Sequence, residues 1–545
     1  MLKYLNKFSK YIQFNPTKAY LVLANIVLAV FAIWFSNVGL LPFAKSSDFA
    51  FFVMLALVLA LYRPGWTFAF FVGTLALENI NLAPNGLGIS LRPYQFFGII
   101  TIIALLVQMV SKRLAFPLPK WRWYDLMPIL FVIAGFLSSI GSQNAGTSLK
   151  QSIIAASFVS LYFLSRVYIQ TFEDLKRILP FFMSSGIVVI IYSIWQNIRF
   201  LGGNAPFEVM PGRPNGTFTE ADWLGIYITF LISVLYAMIY YIYKNNFYNK
   251  SAISNFQFPI SNQFLNVKIF KQIVIYICIL ISYIVLILTV SRSAWIGAVV
   301  VTVGFLKMIL TNGSLRISHW QWREFSLQGV FVTVALSVSL VISLLVPLTN
   351  FQIFNRAVST GGQQKITIAC PANADYVIPE RISNLDDIKP CRHINLEDIE
   401  KERSIGNYVT EVYRNDPTVG IRAEIYKKTI EQIKENPILG IGWGSIGNIL
   451  GRDENGASLN ASNIFLEVWL GNGILGIVSF ITLLLYVLVF SIAQYLKDKN
   501  SDKAAIVFVL LGWAAIVFPN LFNSGIFLGF VWAYLAVAVG LLSKK

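Results

Sequence analysis

Long apolar runs separated by short polar segments recur along almost the whole chain. Three of the longest cover residues 19–35, 273–290 and 329–345, and none of them contains a charged residue. Their length approaches the ~20 residues that an α-helix needs to cross the hydrocarbon core of a bilayer. They lack the alternating ~10-residue pattern of a membrane β-barrel strand. The pattern therefore predicts an all-α fold, a polytopic bundle of transmembrane helices.

About 14 spans are predicted, within a range of 12 to 14, with both ends of the chain on the same side. The predicted spans are 19–37, 48–62, 65–81, 94–111, 126–141, 149–169, 178–199, 221–243, 272–290, 294–310, 328–347, 461–492, 504–520 and 525–542. The first eleven form an N-terminal bundle over residues 1–347, and the last three form a C-terminal bundle over residues 461–545. Residues 244–271 contain an imperfect repeat without helical periodicity, which is typical of a disordered insertion.

The segment 348–460 is too polar to lie in lipid and is predicted to form one large loop. It is long for a loop without structure, and such loops are usually functional. Asn395 is placed to cap a helix beginning at Leu396. Ile421, Ile425 and Ile433 have helical spacing and are followed by Pro437, which predicts a second helix over 420–436. The expectation is a loop of short helices.

Composition supports a membrane protein. Hydrophobic residues make up 56% of the chain and charged residues 13%, with a mean hydropathy of +0.64. Soluble domains average about 25% charged residues. The net charge of +16 comes from basic residues between apolar runs rather than from one basic domain, which argues against nucleic-acid binding. These residues lie in alternate connections, as in Lys3, Lys7, Lys112 and Arg113, and both termini are enriched in them.

By the positive-inside rule this distribution predicts a multi-pass protein of the cytoplasmic membrane, with both termini cytoplasmic and the large loop extracytoplasmic. Cys370 and Cys391 both fall in that loop. A disulfide between them is expected in an oxidising compartment, and two free thiols are the alternative. The only histidines, His319 and His393, are not spaced from a cysteine pair as zinc ligands, and no metal or other cofactor is predicted.

Polar residues and glycines interrupt the apolar pattern at four places that this topology puts on the outer face. These are Arg213-Pro-Asn-Gly-Thr-Phe-Thr-Glu220, Thr289-Val-Ser-Arg292-Ser, Arg422-Ala-Glu-Ile-Tyr426 with the following Pro437-Ile-Leu-Gly440-Ile-Gly442 turn, and Asn460-Ala-Ser-Asn463-Ile-Phe-Leu-Glu467. Leu91-Arg92-Pro93 precedes the fourth predicted span. The ordered set resembles the O-antigen ligase and O-antigen polymerase family over roughly residues 85–490.

The resemblance implies a metal-independent, inverting glycosyltransferase that acts on the outer side of the cytoplasmic membrane. Its donor would be a glycan on a polyprenyl diphosphate, and its partners would be that lipid-linked glycan, membrane lipids, and a flippase and chain-length regulator. Guanidinium groups suit a diphosphate because their planar forks bind phosphate through two hydrogen bonds. Arg213, Arg292 and Arg422, with Arg92 as a fourth, are the predicted diphosphate-binding residues. Alternatively, these arginines anchor helix ends at the interface by snorkelling.

The predicted general base is a carboxylate, because the ligases commonly have a histidine before the asparagine of the last motif and this chain has Ser462 there. Glu220 is the first candidate, since polysaccharide polymerases of the family often have Glu at that place, and Glu467 is the second because it lies in an apolar span. Each could instead complement a helix dipole. Asn463 and Tyr426 are expected to position the acceptor or the loop.

The predicted function is polymerisation of polyprenyl-diphosphate-linked repeats, with an O-antigen-type ligase as the alternative. A transporter of a small anion or of the lipid-linked glycan is a second alternative, although no inverted repeat is evident between the halves of the chain. A non-catalytic scaffold is the third.

Overall fold

A computed structural model describes residues 16–37, 45–84, 86, 90–114, 116–203, 212–253, 262–314, 316–345, 363–371, 378–382, 385–394, 399–415, 417–451, 458–497 and 503–543. Helices dominate these residues. Before the large loop they are α1 (Pro16–Asn37), α2 (Ser46–Tyr62), α3 (Pro64–Gly73), α4 (Pro93–Val110), α5 (Leu126–Ile140), α6 (Ala145–Tyr168), α7 (Phe172–Leu201), α8 (Ala221–Ile253), α9 (Asn262–Leu288), α10 (Arg292–Thr311) and α11 (Trp322–Leu345). The loop contains α12 (Ile399–Ser404), α13 (Pro417–Glu435) and α14 (Ile446–Leu450), and the chain ends with α15 (Ile464–Lys497), α16 (Lys503–Asn520) and α17 (Gly529–Leu542).

Among the described residues, 10 helices are long and apolar enough to cross a membrane, which makes this a multi-pass membrane protein. They are α1, α4, α5, α7, α8, α9, α10, α11, α15 and α16. Each of the 14 predicted spans overlaps a helix, but α6 does not meet these criteria and α17 is shorter than a full span. The predicted count of 14 spans is therefore not confirmed.

The second and third predicted spans form one bent pair. Pro64 has no N–H to donate and begins a new helix, so α2 and α3 meet at an angle of 119°. The predicted span 65–81 is wrong in its second half, because α3 ends at Gly73. Leu75 and Leu77 beyond it are buried against other parts of the protein, which explains why the run is apolar without being helical.

Helices α8 and α16 form the centre of the bundle. In an apolar stretch of 18 residues in each of these helices, 83% of the residues are buried inside the protein, compared with 22% in α1 and 28% in α11. Helix α1 is held at the periphery by Asn25, whose side-chain N–H donates to the Ser184 hydroxyl of α7 at 3.0 Å and to the Gly73 carbonyl at 3.3 Å.

The large loop contains a four-stranded sheet in addition to helices, so the expectation of short helices alone is wrong. Its strands are β1 (Gln363–Cys370), β2 (Arg381–Ile382), β3 (Arg392–Ile394) and β4 (Tyr408–Asn415), in the order β2-β4-β1-β3. Strand β1 pairs antiparallel with β3 and β4, and β2 runs parallel to β4. Ile366, Ile368 and Val412 are buried in a small core of this sheet that is separate from the helical bundle.

The cysteines of the loop are joined by a disulfide bond. Ala369 pairs with Arg392 across β1 and β3, and this register brings the adjacent Cys370 and Cys391 to a Cα–Cα distance of 4.1 Å. The bond links the end of β1 to the start of β3 and closes the edge of the small core. Both cysteines are buried there.

The remaining sequence-based expectations have different outcomes. Helices α8 and α9 extend into 244–271, so the predicted disordered insertion is partly helical, while its residues 254–261 lie outside the described residues. Asn395 and Leu396 also lie outside them, and the helix predicted nearby is described as α12 from Ile399. The predicted helix over 420–436 is confirmed by α13. The division into 1–347, 348–460 and 461–545 stays a prediction.

Helix α15 breaks at Gly473, where φ is 62° and ψ is −165°. A break leaves backbone groups without helical partners, and these must be satisfied elsewhere. The N–H of Ile441 donates to the Leu470 carbonyl at 2.8 Å, and the N–H of Ile474 donates to the Ile438 carbonyl at 3.1 Å. The turn after α13 is thereby fixed against the middle of α15. This contact accounts for Gly440, because a Cβ there would lie 2.5 Å from the Leu470 oxygen.

Candidate functional site

The N-terminal ends of α8 and α10 approach each other unusually closely. A Cβ on Gly225 would lie 2.8 Å from the Cβ of Ala294 and 3.1 Å from that of Ser291, so only glycine permits this packing. The Thr229 hydroxyl donates to the Ala294 carbonyl at 3.2 Å and holds the pair of helices together one turn further. The first turn of α8 is therefore placed against the turn that joins α9 to α10.

Arg213 connects the loop before α8 to the same turn. Its side chain is 8% exposed; its Nε–H donates to the Thr289 carbonyl at 2.9 Å, and Nη2 lies 3.3 Å from Oδ1 of Asp222. A buried guanidinium needs an opposite charge and hydrogen-bond acceptors, and it has both here. Two of the four predicted segments, one before α8 and one before α10, therefore meet through this side chain.

Asp222 lies at the centre of the cluster. Besides Arg213, it forms a hydrogen bond with the Ser291 side chain and is close enough to Arg422 for an electrostatic attraction. Arg422 lies near the start of α13 and is half-buried. Since Asp222 retains 33% side-chain exposure, the cluster opens toward solvent. The sequence analysis did not single out Asp222; its position in the first turn of α8, two residues after Glu220, was the available signal.

A chain of hydrogen bonds extends from this cluster to the fourth segment. The Ser291 and Ser293 hydroxyls are 3.3 Å apart, and the Asn523 amide donates to the Ser293 hydroxyl at 2.6 Å. Two residues earlier, the Leu521 carbonyl accepts from the Asn463 amide at 2.9 Å. The turn between α16 and α17 therefore bridges α10 and the start of α15.

Asn463 also caps α15, because its Oδ1 accepts from the N–H of Phe465 at 2.9 Å and of Leu466 at 3.2 Å. The Tyr426 hydroxyl of α13 donates to the Ser462 carbonyl at 3.3 Å. Tyr426 lies one helical turn after Arg422, so the same face of α13 contacts the cluster and the start of α15. All four predicted segments meet at one end of the bundle, on the side from which the large loop leaves.

Glu467 has a structural contact. It is 7% exposed, and its Oε2 accepts from the N–H of Ala461 at 2.5 Å, which closes the 461–467 turn. This arrangement fits a residue that positions Asn463 and Ser462 better than one that meets a substrate. Glu220 differs: it is exposed, it lies two residues before Asp222, and its carbonyl accepts from Leu224 at the start of α8.

Arg92 belongs to a second cluster. Its Nη1 lies 2.6 Å from Oε1 of the fully buried Glu78, and the Tyr94 hydroxyl donates to the same carboxylate oxygen at 3.0 Å. Burial is the largest influence on the Glu78 carboxyl and raises its pKa, while Arg92 opposes that shift. Arg92 is thus paired with Glu78, as Arg213 is with Asp222, but in a second cluster.

Arg292 is the first residue of α10, directly after Ser291, and its side chain is half-buried. The residue two before it, Val290, has a φ of 53°. This left-handed conformation is sterically strained for a β-branched residue, and strained backbone is often found at functional sites. Ser462, at the other end of the hydrogen-bonded chain, has a φ of 49°. Backbone strain therefore occurs on both flanks of the candidate site.

Within the described ranges, no three or more His, Cys, Asp or Glu side chains are grouped so that they could hold a metal ion. The predicted metal independence stays a prediction. The arrangement offers cationic groups, carboxylates and hydroxyls at the boundary between the helical bundle and the loop. Such a set can bind an anionic group and move a proton.

The fold and this cluster define a multi-pass membrane protein with an arginine-containing polar site at the loop end of its helical bundle. Residues 277–481 match the family model of the O-antigen ligase, which confirms the resemblance found in the sequence. The matched part includes Arg292, Arg422, Tyr426, Asn463 and Glu467. No curated protein matches the chain. The family supports a membrane protein with a glycan ligase- or polymerase-type role.

Proposed function

We propose that this protein transfers a glycan from a polyprenyl diphosphate to an acceptor hydroxyl at the outer face of the cytoplasmic membrane. The observation that carries the proposal is the meeting of Arg213, Asp222, Ser291 and Arg422 at the loop end of the bundle. A lipid-linked diphosphate presents its charges at the membrane boundary, where this cluster lies. Preorganised cations at that place stabilise the charge that develops on a leaving diphosphate.

In this proposal the half-buried Arg292 and Arg422 bind the diphosphate, and Arg213 holds the site together through Asp222 and Thr289. The acceptor oxygen bonds to the anomeric carbon of the donor sugar while the bond from that carbon to the phosphate oxygen breaks. The polyprenyl diphosphate leaves with the bonding electrons. The proton of the acceptor hydroxyl passes to a carboxylate, for which the exposed Glu220 is the proposed base. Glu467, Asn463 and Tyr426 shape the turn beside it.

Ligase-type transfer of a finished glycan to another carrier takes precedence over polymerisation, because the matched family model is that of a ligase. Polymerisation remains the second candidate. It is favoured by Glu220 at the place where polymerases of the family carry Glu, and by Ser462 in place of the ligase histidine.

The test is to reconstitute the purified protein in vesicles with a polyprenyl-diphosphate oligosaccharide and a second, labelled glycolipid. Attachment of the oligosaccharide to the labelled glycolipid in a single step is the expected ligase result, whereas a ladder of repeats identifies a polymerase. Accumulation of the unchanged lipid-linked glycan in the opposite leaflet, with no new glycosidic bond, would show a transporter and refute the proposal. Asp222→Asn, which removes the charge that pairs with Arg213, is expected to reduce transfer in either case.

A further inference from the structure

An apolar groove separates part of α1 from α7 on the side of the bundle that faces lipid. It has a volume of about 710 Å³, and its walls include Val22, Ile26 and Trp34 of α1 and Ile187 and Trp195 of α7. From Val22 to Trp34 a helix rises by roughly 18 Å, which is close to half of the ~30 Å hydrocarbon thickness. The groove is therefore long enough for the part of a lipid chain that occupies one leaflet.

A polar pocket of about 220 Å³ continues the groove toward the loop end of the bundle. The two cavities share Ile33 and Tyr192 in their walls. The other walls of the pocket are Ser36 and Ile80, together with Asn79, Asn215, Gly216 and Thr217. An apolar channel that ends in hydroxyl and amide groups matches a molecule with a hydrocarbon chain and a polar head.

The pocket is built on the loop that carries Arg213, but on its opposite side. Fully buried Gln196 of α7 accepts from the N–H of Gly216 at 2.8 Å and donates to the Asn215 side chain at 3.3 Å. The N–H of Asn79 donates to the Thr217 carbonyl at 2.7 Å. Arg213, two residues before Asn215, extends instead toward Thr289 and Asp222. One rigid loop thus separates the arginine cluster from the polar pocket.

The chemistry of the two sides differs. Among the described residues that line the groove and the pocket, none is Lys, Arg, Asp or Glu. A cation beside the groove is Arg199, which stacks on the Trp195 ring at 4.9 Å, whereas the other side of the loop offers Arg213 and Arg422 together to a diphosphate. Sugar hydroxyls, in contrast, are matched by neutral amides and hydroxyls, which both donate and accept. The diphosphate therefore belongs on the arginine side of the loop, and a sugar fits the other side.

We propose that the α1–α7 groove and the polar pocket hold the acceptor as a glycolipid, with its hydrocarbon chain in the groove and its sugar in the polar pocket. This inference rests on the proposed glycan transfer and gives it a second lipid site. The acceptor enters sideways from the membrane and meets the donor across the 213–217 loop. A soluble acceptor or an acceptor protein would not need the groove.

The first test uses a photo-crosslinking amino acid in the full-length protein in vesicles. The crosslinking amino acid replaces Ile187, which lines the groove. In the control protein it replaces Val299, an exposed residue of α10 outside the groove. The vesicles contain a polyprenyl-linked disaccharide labelled on its sugar, together with labelled phosphatidylglycerol as a bulk lipid. Enriched crosslinking of the glycolipid at 187 but not at 299 is the expected result. Phosphatidylglycerol crosslinked at both positions in proportion to its abundance, without enrichment of the glycolipid, overturns the proposal.

The second test fills the groove. Ile187→Trp is expected to raise the KM for the glycolipid acceptor by about 10-fold, because the larger side chain fills part of the groove, without changing the KM for the donor. Val299→Trp, the matched control, should leave both unchanged. Equal acceptor KM values in the two variants count against the acceptor site. Glycolipid crosslinking at position 187, together with a wild-type protein that forms no glycosidic bond, would instead keep the lipid site and reject the proposed transfer.

Discussion

Replacing Arg422 with alanine tests whether the cluster binds a diphosphate. Arg422 is half-buried at the edge of the cluster and is electrostatically coupled to Asp222, so its loss changes the charge of the site without opening the bundle. At an effective dielectric constant of about 20, a charge ~4 Å from one phosphate charge contributes ~4 kcal/mol. Solvent at the half-buried guanidinium screens part of this interaction, and about 3 kcal/mol remains. Since each 1.36 kcal/mol changes a rate tenfold, we expect transfer to slow by about 10²-fold.

The control for this variant lies on the same helix. Lys427→Ala removes an equal charge from an exposed position of α13 that is not part of the cluster. Initial rates of glycan transfer in vesicles, measured at two salt concentrations together with the thermal unfolding midpoint, separate the site from general charge effects. The expected Arg422→Ala protein unfolds at the wild-type temperature but transfers slowly. If Arg422→Ala loses no more activity than Lys427→Ala, the diphosphate-binding role of the cluster is refuted.

Three further predictions concern the fold around the site. Gly473→Ala should prevent recovery of a monodisperse protein in size-exclusion chromatography, because its φ of 62° and ψ of −165° suit only glycine and a Cβ would lie 2.0 Å from a neighbouring carbonyl oxygen. Reduction of the bond between Cys370 and Cys391 should make the loop more susceptible to proteolysis while the helical CD signal persists, since that bond lies in a core separate from the bundle. A hydrogen bond from Arg392 lowers the pKa of Glu402 in the folded loop. The stabilisation of the loop by Glu402 is therefore complete above about pH 5 and is lost as the pH falls through the lowered folded-state pKa. Glu402→Gln should remove this part of the pH dependence of proteolysis.

The sequence predicted the helices because lipid requires long apolar runs, and every predicted span overlaps one. It failed where an apolar run is buried by protein instead. The run after Gly73 is such a case, because Leu75 and Leu77 pack inside the bundle without forming a helix. Hydropathy measures only how apolar a segment is, and it does not distinguish burial in lipid from burial in protein.

The sheet of the large loop was not predicted, although the sequence of β1 contains an alternating pattern. Every second residue of β1, namely Ile366, Ile368 and Cys370, belongs to the small core, which is the period of a strand, although Thr367 and Ala369 between them are also buried. The paired strands β1 and β3 are separated by more than twenty residues, and β2 joins β4 from a distant part of the chain. Such long-range pairing depends on tertiary contacts that local periodicity does not record.

The sequence predicted the meeting of its four polar segments but not the residue that joins them. Arginines were given weight because each stands out in an apolar context, whereas Asp222 at a helix start has an ordinary explanation as a partner of the helix dipole. Asp222 can join the segments because Gly225, one turn later in α8, allows α10 to approach closely. At this distance Ser291 forms a hydrogen bond with the Asp222 carboxylate.

The position of Asp222 also limits which arginine can respond to a substrate. Arg213 is 8% exposed, and a carboxylate and a carbonyl accept from two of its five N–H donors, so a diphosphate that displaced either acceptor would break an existing contact. Removing one partner from a buried ion pair costs ~3–5 kcal/mol, which a new phosphate contact would first have to offset. This cost does not apply to Arg422, because Arg422 is half-buried rather than enclosed in a buried ion pair. In the proposed function the same charge type therefore has two roles, with Arg213 fixing the loop between the proposed donor and acceptor sites and Arg422 binding the donor, and this division would account for a carboxylate at the centre of an anion-binding site.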